Sequence, residues 1–101
     1  MASRLKLQKT LESLMDNRNV YFQPPASNKM SYPAIRYSLK DIDKKEANDL
    51  PYMQTKAYEL ILIDSNPDSK FVDKLSSMSK CSFDRHYVSD NLHHYVFTLY
   101  Y

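Results

Sequence analysis

The side chains best suited to chemistry lie together near the C-terminal end of the sequence. The three histidines, His86, His93 and His94, lie on either side of a short polar segment, 89–91, and Asp84 precedes His86 by two residues. If residues 81–100 form two strands joined by a three-residue loop, His86 lies opposite His94, with Asp84 on the same face. Two imidazoles and a carboxylate suit zinc, so a small metal-dependent enzyme is one hypothesis for this chain.

The same residues also fit a solvated polar face with a histidine pair, at most a pH-sensitive contact, and the sequence favours this interpretation. Asp84, Arg85 and His86 are neighbours in a predicted strand, so they point to alternate faces and cannot act together on one substrate. Arg85 is therefore better suited to an ion pair or to a subunit interface than to acid–base catalysis. Cys81 begins the strand on an apolar face, which predicts a small buried hydrophobe rather than a nucleophile. We therefore predict no catalytic residue, no metal and no cofactor.

The composition excludes several functions because the chain has no glycine. A phosphate-cradling loop, a dinucleotide fingerprint and a glycine-flanked nucleophile turn all require glycine. Turns with positive φ must use Asn or Asp instead. The nine tyrosines could stack on bases, but the usual RNA-binding sheet motif also contains glycine, and the net charge is only +2. A single-strand nucleic-acid binder stays as an alternative, and no specific nucleic-acid partner is predicted.

The totals predict one domain, 1–101, with a single core. One cysteine allows no internal disulfide, which indicates a reducing compartment. No apolar run approaches the roughly 20 residues of a membrane span, and the N-terminus lacks the apolar stretch of a signal peptide. We expect no membrane partner, and we expect the protein in a cytoplasm or in a particle assembled there.

Hydrophobic periodicity predicts two helices and five strands. The predicted elements are a helix over 3–16, strands over 20–23, 33–39 and 54–63, a helix from Asn66 to Lys80, and strands over 81–88 and 92–100. Segment 40–50 is polar and is predicted as an exposed hairpin loop. The fold class is α+β, a mostly antiparallel sheet of about five strands with two helices, in the order α-β-β-β-α-β-β.

Local signals predict details of three elements. Ser3 is the expected N-cap of the first helix, and Asn66 followed by Pro67 is expected to open the second. Strand 54–63 becomes apolar on both faces, which predicts a central position. In the last hairpin, an odd-length loop with Asp90 or Asn91 left-handed gives the most apolar face. Its predicted pairs are Val88 with Leu92, Arg85 with Tyr95, Phe83 with Phe97 and Cys81 with Leu99, with Tyr87 on the same apolar face as Phe83 and Tyr95.

Taken in order, five stretches resemble a family of small tailed-bacteriophage proteins, the tail terminator, tail completion or minor structural proteins of the neck. The stretches are NVYFQPP (19–25), YPAIRY (32–37), DSNPDS (64–69), CSFDRHY (81–87) and DNLHHYVF (90–97). The similarity runs from the first helix to the C-terminus and contains no catalytic motif. The predicted order of elements also resembles the tail-terminator fold.

The resemblance implies a structural protein, not an enzyme, that forms a ring of typically six copies in the virion neck after synthesis in the host bacterial cytoplasm. The ring caps the tail tube, terminates tail polymerisation and offers a surface to the head connector. Its implied partners are other copies of the chain, the tail tube protein and a head connector or neck protein. A head-side neck adaptor is the alternative within the same particle.

A closed ring needs two different patches on each subunit. We predict one patch on the exposed side of the last hairpin and the other on the loops 23–32 and 40–52. Interface cores favour Tyr, Met and Arg. The candidate interface residues are Met30, Tyr32, Arg36, Tyr52, Met53, Arg85, His86 and His94.

Overall fold

The computed structural model describes residues 4–16, 19–23, 32–47 and 50–101, with 43–47 and 50–55 described by their backbone alone. The elements are α1 (Arg4–Met15), β1 (Val20–Phe22), β2 (Ala34–Ala47), β3 (Leu50–Asp64), α2 (Lys70–Ser76), β4 (Cys81–Ser89) and β5 (Leu92–Tyr100). The predicted α+β class and the order of elements are confirmed. No helix among the described residues is long and apolar enough to cross a membrane.

The five strands form one sheet in the order β1-β2-β3-β5-β4. β1 pairs with β2 in parallel, and every other pairing is antiparallel. β3 therefore holds the central position that its two apolar faces predict, with β2 on one side and β5 on the other. β4 lies at one edge, with β5 as its only neighbour among the described strands.

The main core lies between one face of the sheet and the two helices. Alternate residues of the strands point to this face, which we call the helix face, and the apolar stripes of α1 and α2 cover it. Leu60 and Leu62 of β3 are completely buried there. The core cluster consists of Leu7, Leu11, Met15, Val20, Ile35, Tyr37, Tyr58, Leu60, Leu62, Phe71, Leu75, Tyr95, Phe97 and Leu99.

A hydrogen-bonded network fastens α1 to the sheet. The buried Tyr37 hydroxyl donates to Oε1 of Gln8 at 2.6 Å and accepts from Arg4 at 3.3 Å. Nε2 of Gln8 donates to the Val20 carbonyl at 2.9 Å. Burial raises the pKa of Tyr37, with its bond to the Arg4 guanidinium acting in the opposite direction. The tyrosine thus keeps a satisfied polar tip inside an apolar layer.

The second helix begins later than the sequence predicts. Its N-cap is Ser69, whose Oγ accepts from the Phe71 amide, and not Asn66. Oδ1 of Asn66 instead accepts from the Asp68 backbone amide at 2.9 Å, and the backbone amide of Asn66 donates to Oδ1 of Asp64 at 3.0 Å. Asn and Asp favour such local turns as strongly as caps, so residue type alone does not separate the two. The predicted cap Ser3 of the first helix lies outside the described residues.

The predicted loop over 40–50 is wrong, since β2 continues to Ala47 and β3 starts at Leu50. The pairing runs from Ala34 with Ile63 out to Ala47 with Leu50, with irregularities between Leu39 and Asp41 and between Lys45 and Glu46. Residues 40–50 lack the apolar alternation by which sequence patterns identify a strand, so only the backbone pairing reveals the strands here.

The outer part of this hairpin extends beyond the rest of the sheet. Pairing with β5 stops at Ala57, apart from two backbone hydrogen bonds between Lys56 and Tyr101, and pairing with β1 stops at Tyr37. We call the remaining residues, 42–47 and 50–56, the arm. Six residue pairs at about 3.3 Å per residue make it roughly 20 Å long. The molecule is accordingly elongated, with extents of 51 × 26 × 23 Å.

Candidate functional site

The C-terminal hairpin has a different turn and register from the predicted ones. Ser89 pairs with Leu92, so the loop has two residues, Asp90 and Asn91, with φ of 53° and 61°. Positive φ at both positions is the type I′ geometry that suits the twist of a hairpin. The left-handed prediction is confirmed for both residues, whereas the odd loop length and the pairing of Val88 with Leu92 are wrong.

A β-bulge in β4 separates two parts of the hairpin. The part away from the turn has the predicted register, and the part between the bulge and the turn does not. The register shifts between Phe83 and Arg85, so Asp84 is an extra residue in β4. Before the bulge, Phe83 pairs with Phe97 and Cys81 with Leu99, as predicted. After it, Arg85 pairs with Val96 instead of Tyr95, and His86 takes the place opposite Tyr95. The bulge reverses every side chain between itself and the turn.

The zinc hypothesis fails on this register. His86 lies on the helix face opposite Tyr95, whereas His94 lies on the other face opposite Tyr87. Asp84 pairs with Arg85 at 2.9 Å. Among the described residues, no group of three or more His, Cys, Asp or Glu side chains is placed to hold a metal ion.

His86 instead meets His93, which the predicted register places on the opposite face of the hairpin. Nε2 of His86 and Nδ1 of His93 are 3.0 Å apart, and the two ring planes are 7° apart with centroids 5.2 Å apart. His86 also stacks on Tyr95, with centroids 4.7 Å apart. These three rings form a cluster on the helix face near the turn. The two-residue turn Asp90-Asn91 was the only sequence signal for this pairing.

On the face away from the helices, which we call the outer face, a second stacked pair lies beside the first. The rings of Tyr87 and His94 are 4.6 Å apart at 10°. The predicted place of Tyr87 on the apolar face is therefore wrong, because the bulge turns it outward. Nδ1 of His94 lies 3.0 Å from the Leu92 carbonyl, so that nitrogen is the donor.

Tyr95 anchors the three-ring cluster to the loop before α2. Its hydroxyl donates to the Pro67 carbonyl at 2.8 Å. Burial raises the pKa of Tyr95, and the carboxylates of Asp64 and Asp68 raise it further. A raised pKa means that the folded protein favours the neutral hydroxyl, which is the form able to donate this hydrogen bond.

Tyr95→Phe is expected to lower the free energy of unfolding by about 1 kcal/mol at pH 8, the usual value of one hydrogen bond. Because the folded-state pKa is raised, the contribution of Tyr95 is complete below the ordinary tyrosine pKa of about 10. This stabilisation is lost as pH rises through the folded-state pKa of Tyr95. The difference in the free energy of unfolding between wild type and variant therefore shrinks above about pH 10. Urea unfolding of wild type and Tyr95→Phe at several pH values between 8 and 11 measures this difference. Tyr100→Phe, at a side chain 47% exposed, is the control, and a pH-independent difference would contradict the assignment.

Beyond Cys81, every residue of the edge strand β4 is exposed. Phe83 and Val88 are more than half exposed although they lie on the helix face. Cys81 itself is half-buried, as a small hydrophobe is expected to be, and burial raises the pKa of its thiol. An edge strand with apolar side chains on it is a surface that proteins normally cover or pair.

Three of the predicted interface residues, Arg36, Arg85 and His94, lie on the outer face of the sheet. Arg36, Ile61, Val96 and Arg85 form one row across the outer face, and His94 lies in the next row. Arg36 and Arg85 are exposed, and His94 is half-buried. His86 faces the opposite way.

The other predicted interface residues are placed elsewhere. Tyr32 is exposed and lies two residues before β2. Tyr52 and Met53 belong to the arm, where only the backbone is described, and Met30 lies outside the described residues. The loop 23–32 is described at Gln23 and Tyr32 alone.

Comparison with models of known protein families gives no match. No curated protein matches the chain either.

Proposed function

We propose that the chain is a structural subunit of the neck of a tailed bacteriophage. Copies of it form a ring, most simply a hexamer, that caps the tail tube, stops its polymerisation and joins the tail to the head connector. The sequence resemblance motivates this proposal. The order α-β-β-β-α-β-β, which the structure has, is the order that the resemblance implies.

The observation that carries the proposal is the presence of two unlike surfaces on one small chain. One is the arm, a two-stranded ribbon that projects from the sheet. The other is β4, an exposed edge strand at the side of the sheet. A closed ring is built from a heterologous contact, in which one patch of each subunit meets a different patch of the next.

The arm supports assembly for an energetic reason as well. An isolated two-stranded hairpin is marginally stable in water, because it has no third strand or helix to bury its side chains. An arm roughly 20 Å long therefore gains stability when it lies against another protein. In a neck ring, that protein is the adjacent subunit or the end of the tail tube.

The polar clusters among the described residues suit contacts better than catalysis. Asp84 is paired with the neighbouring Arg85. His86 makes a hydrogen bond with His93 and stacks on Tyr95. We propose no reaction and no required cofactor for this role.

The length of the tails in a lysate that lacks this protein tests the proposal. A stop codon is placed in this gene in the virus that carries it, and tails in the lysate are measured by electron microscopy. The terminator role predicts overlong tails that do not join heads, because nothing stops polymerisation of the tube. Tails of normal length that fail to join would move the protein to the head side, as a neck adaptor. Intact infectious particles would refute a role in the neck.

A further inference from the structure

We propose that the hydrogen bond between His86 and His93 is a pH-dependent closure of the β4–β5 hairpin, made at neutral pH and lost when both imidazoles are protonated. Nε2 of His86 and Nδ1 of His93 are 3.0 Å apart. The ring planes are 7° apart and the ring centroids are 5.2 Å apart. The two rings therefore lie edge to edge with these nitrogens aimed at each other, which is the geometry of one N–H···N hydrogen bond.

The sheet brings the two imidazoles together from different strands. His86 of β4 pairs with Tyr95 and His93 of β5 pairs with Val88, so the two histidines are diagonal neighbours on the helix face. β5 is the only neighbour of β4 among the described strands. Between the bulge and the turn, β4 has five paired residues. A side-chain hydrogen bond in so short a stretch adds to the hold of β5 on the edge strand.

Tyr95 fixes the position of the His86 ring. The two rings stack with centroids 4.7 Å apart, and the Tyr95 hydroxyl donates to the Pro67 carbonyl at 2.8 Å. A ring that lies on a tethered neighbour has little freedom left to rotate. The bond between the histidines therefore costs little further conformational entropy.

The number of protons on the two rings decides whether the bond exists. When both rings are neutral, one of the facing nitrogens donates its hydrogen to the lone pair of the other. A first proton from solvent goes to the far nitrogen of the donating ring, and the bond is kept in a charge-assisted form. A second proton has only the accepting nitrogen left. Both facing nitrogens then carry hydrogens, the bond is lost, and two positive rings repel each other.

The direction of the pH effect follows from this proton count. The histidine side chain ordinarily titrates near pH 6.5, so both rings are charged in the unfolded chain at pH 5. The folded pair, with its nitrogens 3.0 Å apart, has room for one proton fewer. Because the unfolded state binds more protons in this range, the stability of the hairpin falls as pH falls. His86 is exposed and His93 is half-buried, so protons from solvent reach the pair.

The charged groups on the side of β3 are carboxylates. Asp64 is the cross-strand partner of His93, and Asp64 and Asp68 are the two charged residues that act on the Tyr95 hydroxyl. Negative charge favours the first proton on the pair. It does not relieve the contact of two hydrogens between the facing nitrogens, so the second proton still breaks the bond.

The charged groups on the other neighbouring elements make contacts of their own. On α2, Lys70 and Lys74 lie over the Phe71 ring at 5.3 and 5.5 Å. On β4, Arg85 points to the outer face and is paired with Asp84 at 2.9 Å. The turn contributes the carboxylate of Asp90. All of these groups are unchanged in the variants that test the pair, so their own pH effects cancel in a double-mutant cycle.

Urea unfolding of the wild type, His86→Ala, His93→Ala and the double variant, at pH 7.5 and at pH 5, tests the contact. At pH 7.5 the coupling of the two histidines should raise the ratio of folded to unfolded protein by roughly two- to tenfold, the usual effect of one hydrogen bond. At pH 5 the coupling should disappear or become repulsive. His94→Ala is the control. His94 adjoins His93 in β5 but lies on the outer face, so it should show no coupling to His86 at either pH.

Amide hydrogen exchange measures the opening of the hairpin itself. After correction for intrinsic rates, protection of residues 86–93 relative to β3 should fall between pH 7.5 and pH 5 in the wild type. In His86→Ala it should already be reduced at pH 7.5, and far-UV circular dichroism checks that the variants fold. The proposal is refuted if the histidines are uncoupled at pH 7.5, if the coupling or the protection is the same at both pH values, or if His94 couples to His86 as strongly as His93 does. None of these outcomes depends on the role in the neck.

Discussion

Replacing residues 43–55 with Asn-Gly is expected to abolish the joining of heads and tails while leaving the domain folded. The new turn would connect Ile42 to Lys56, which face each other in the ribbon, and Asn-Gly suits a two-residue hairpin loop. The five-stranded part of the sheet and the core cluster lie outside the deleted segment. The loss should therefore fall on assembly, because the variant lacks one of the two surfaces that a ring needs.

The measurement is complementation of the stop-codon virus by a plasmid that carries the variant. The titre of infectious particles should fall to that of the empty plasmid, and the melting temperature of the purified variant should stay near that of the wild type. Replacing Asp90-Asn91 with Asn-Gly is the matched control, because it introduces the same turn at the opposite end of the sheet and keeps the arm. Full complementation by the arm variant would show that the arm has no part in assembly.

Leu60→Ala is expected to destabilise the folded domain strongly. Leu60 is fully buried at the centre of the helix face, between Tyr37 of β2 and Phe97 of β5. Removing its methyl groups leaves a cavity among neighbours that are themselves held by strand pairing, which costs about 2–5 kcal/mol. A domain of this size has roughly 5–15 kcal/mol in total, and the melting temperature should fall by roughly 10–30 °C.

Far-UV circular dichroism during urea unfolding measures this effect. Leu5→Ala is the control, since the same side chain in α1 is 62% exposed, and a surface substitution of this kind stays within about 0.5 kcal/mol. Equal destabilisation by the two substitutions would contradict the position of the core. The comparison also tests which stripe of α1 faces the sheet, because Leu5 lies outside the buried stripe of Leu7, Leu11 and Met15.

The helices and strands that have a periodic apolar pattern agree with the prediction from the sequence. The helical spacing of Leu7, Leu11, Leu14 and Met15 predicts one apolar stripe on α1, and the structure buries all of them except Leu14, which is half-buried. Strand 54–63 is central, as predicted. These predictions succeed because burial of one face repeats along a single element, so nearby residues carry the signal. The strands of the arm were missed for the same reason. Residues 40–50 carry no apolar repeat in the sequence, and only the pairing of β2 with β3 shows that they form strands.

Local sequence signals predict the turn next to the cluster of His86, His93 and Tyr95 but not the contacts within it. Residue types alone placed left-handed backbone at Asp90 or Asn91, and both adopt it, because Asn and Asp tolerate positive φ in a chain without glycine. They did not reveal the bulge at Asp84, which separates His86 from His94 and brings it to His93. By itself, the sequence determined the order of elements, the central position of β3 and the left-handed backbone of the last turn. The tertiary structure decided the register and therefore which histidines meet, because one unpaired residue in a strand reverses every side chain that follows it.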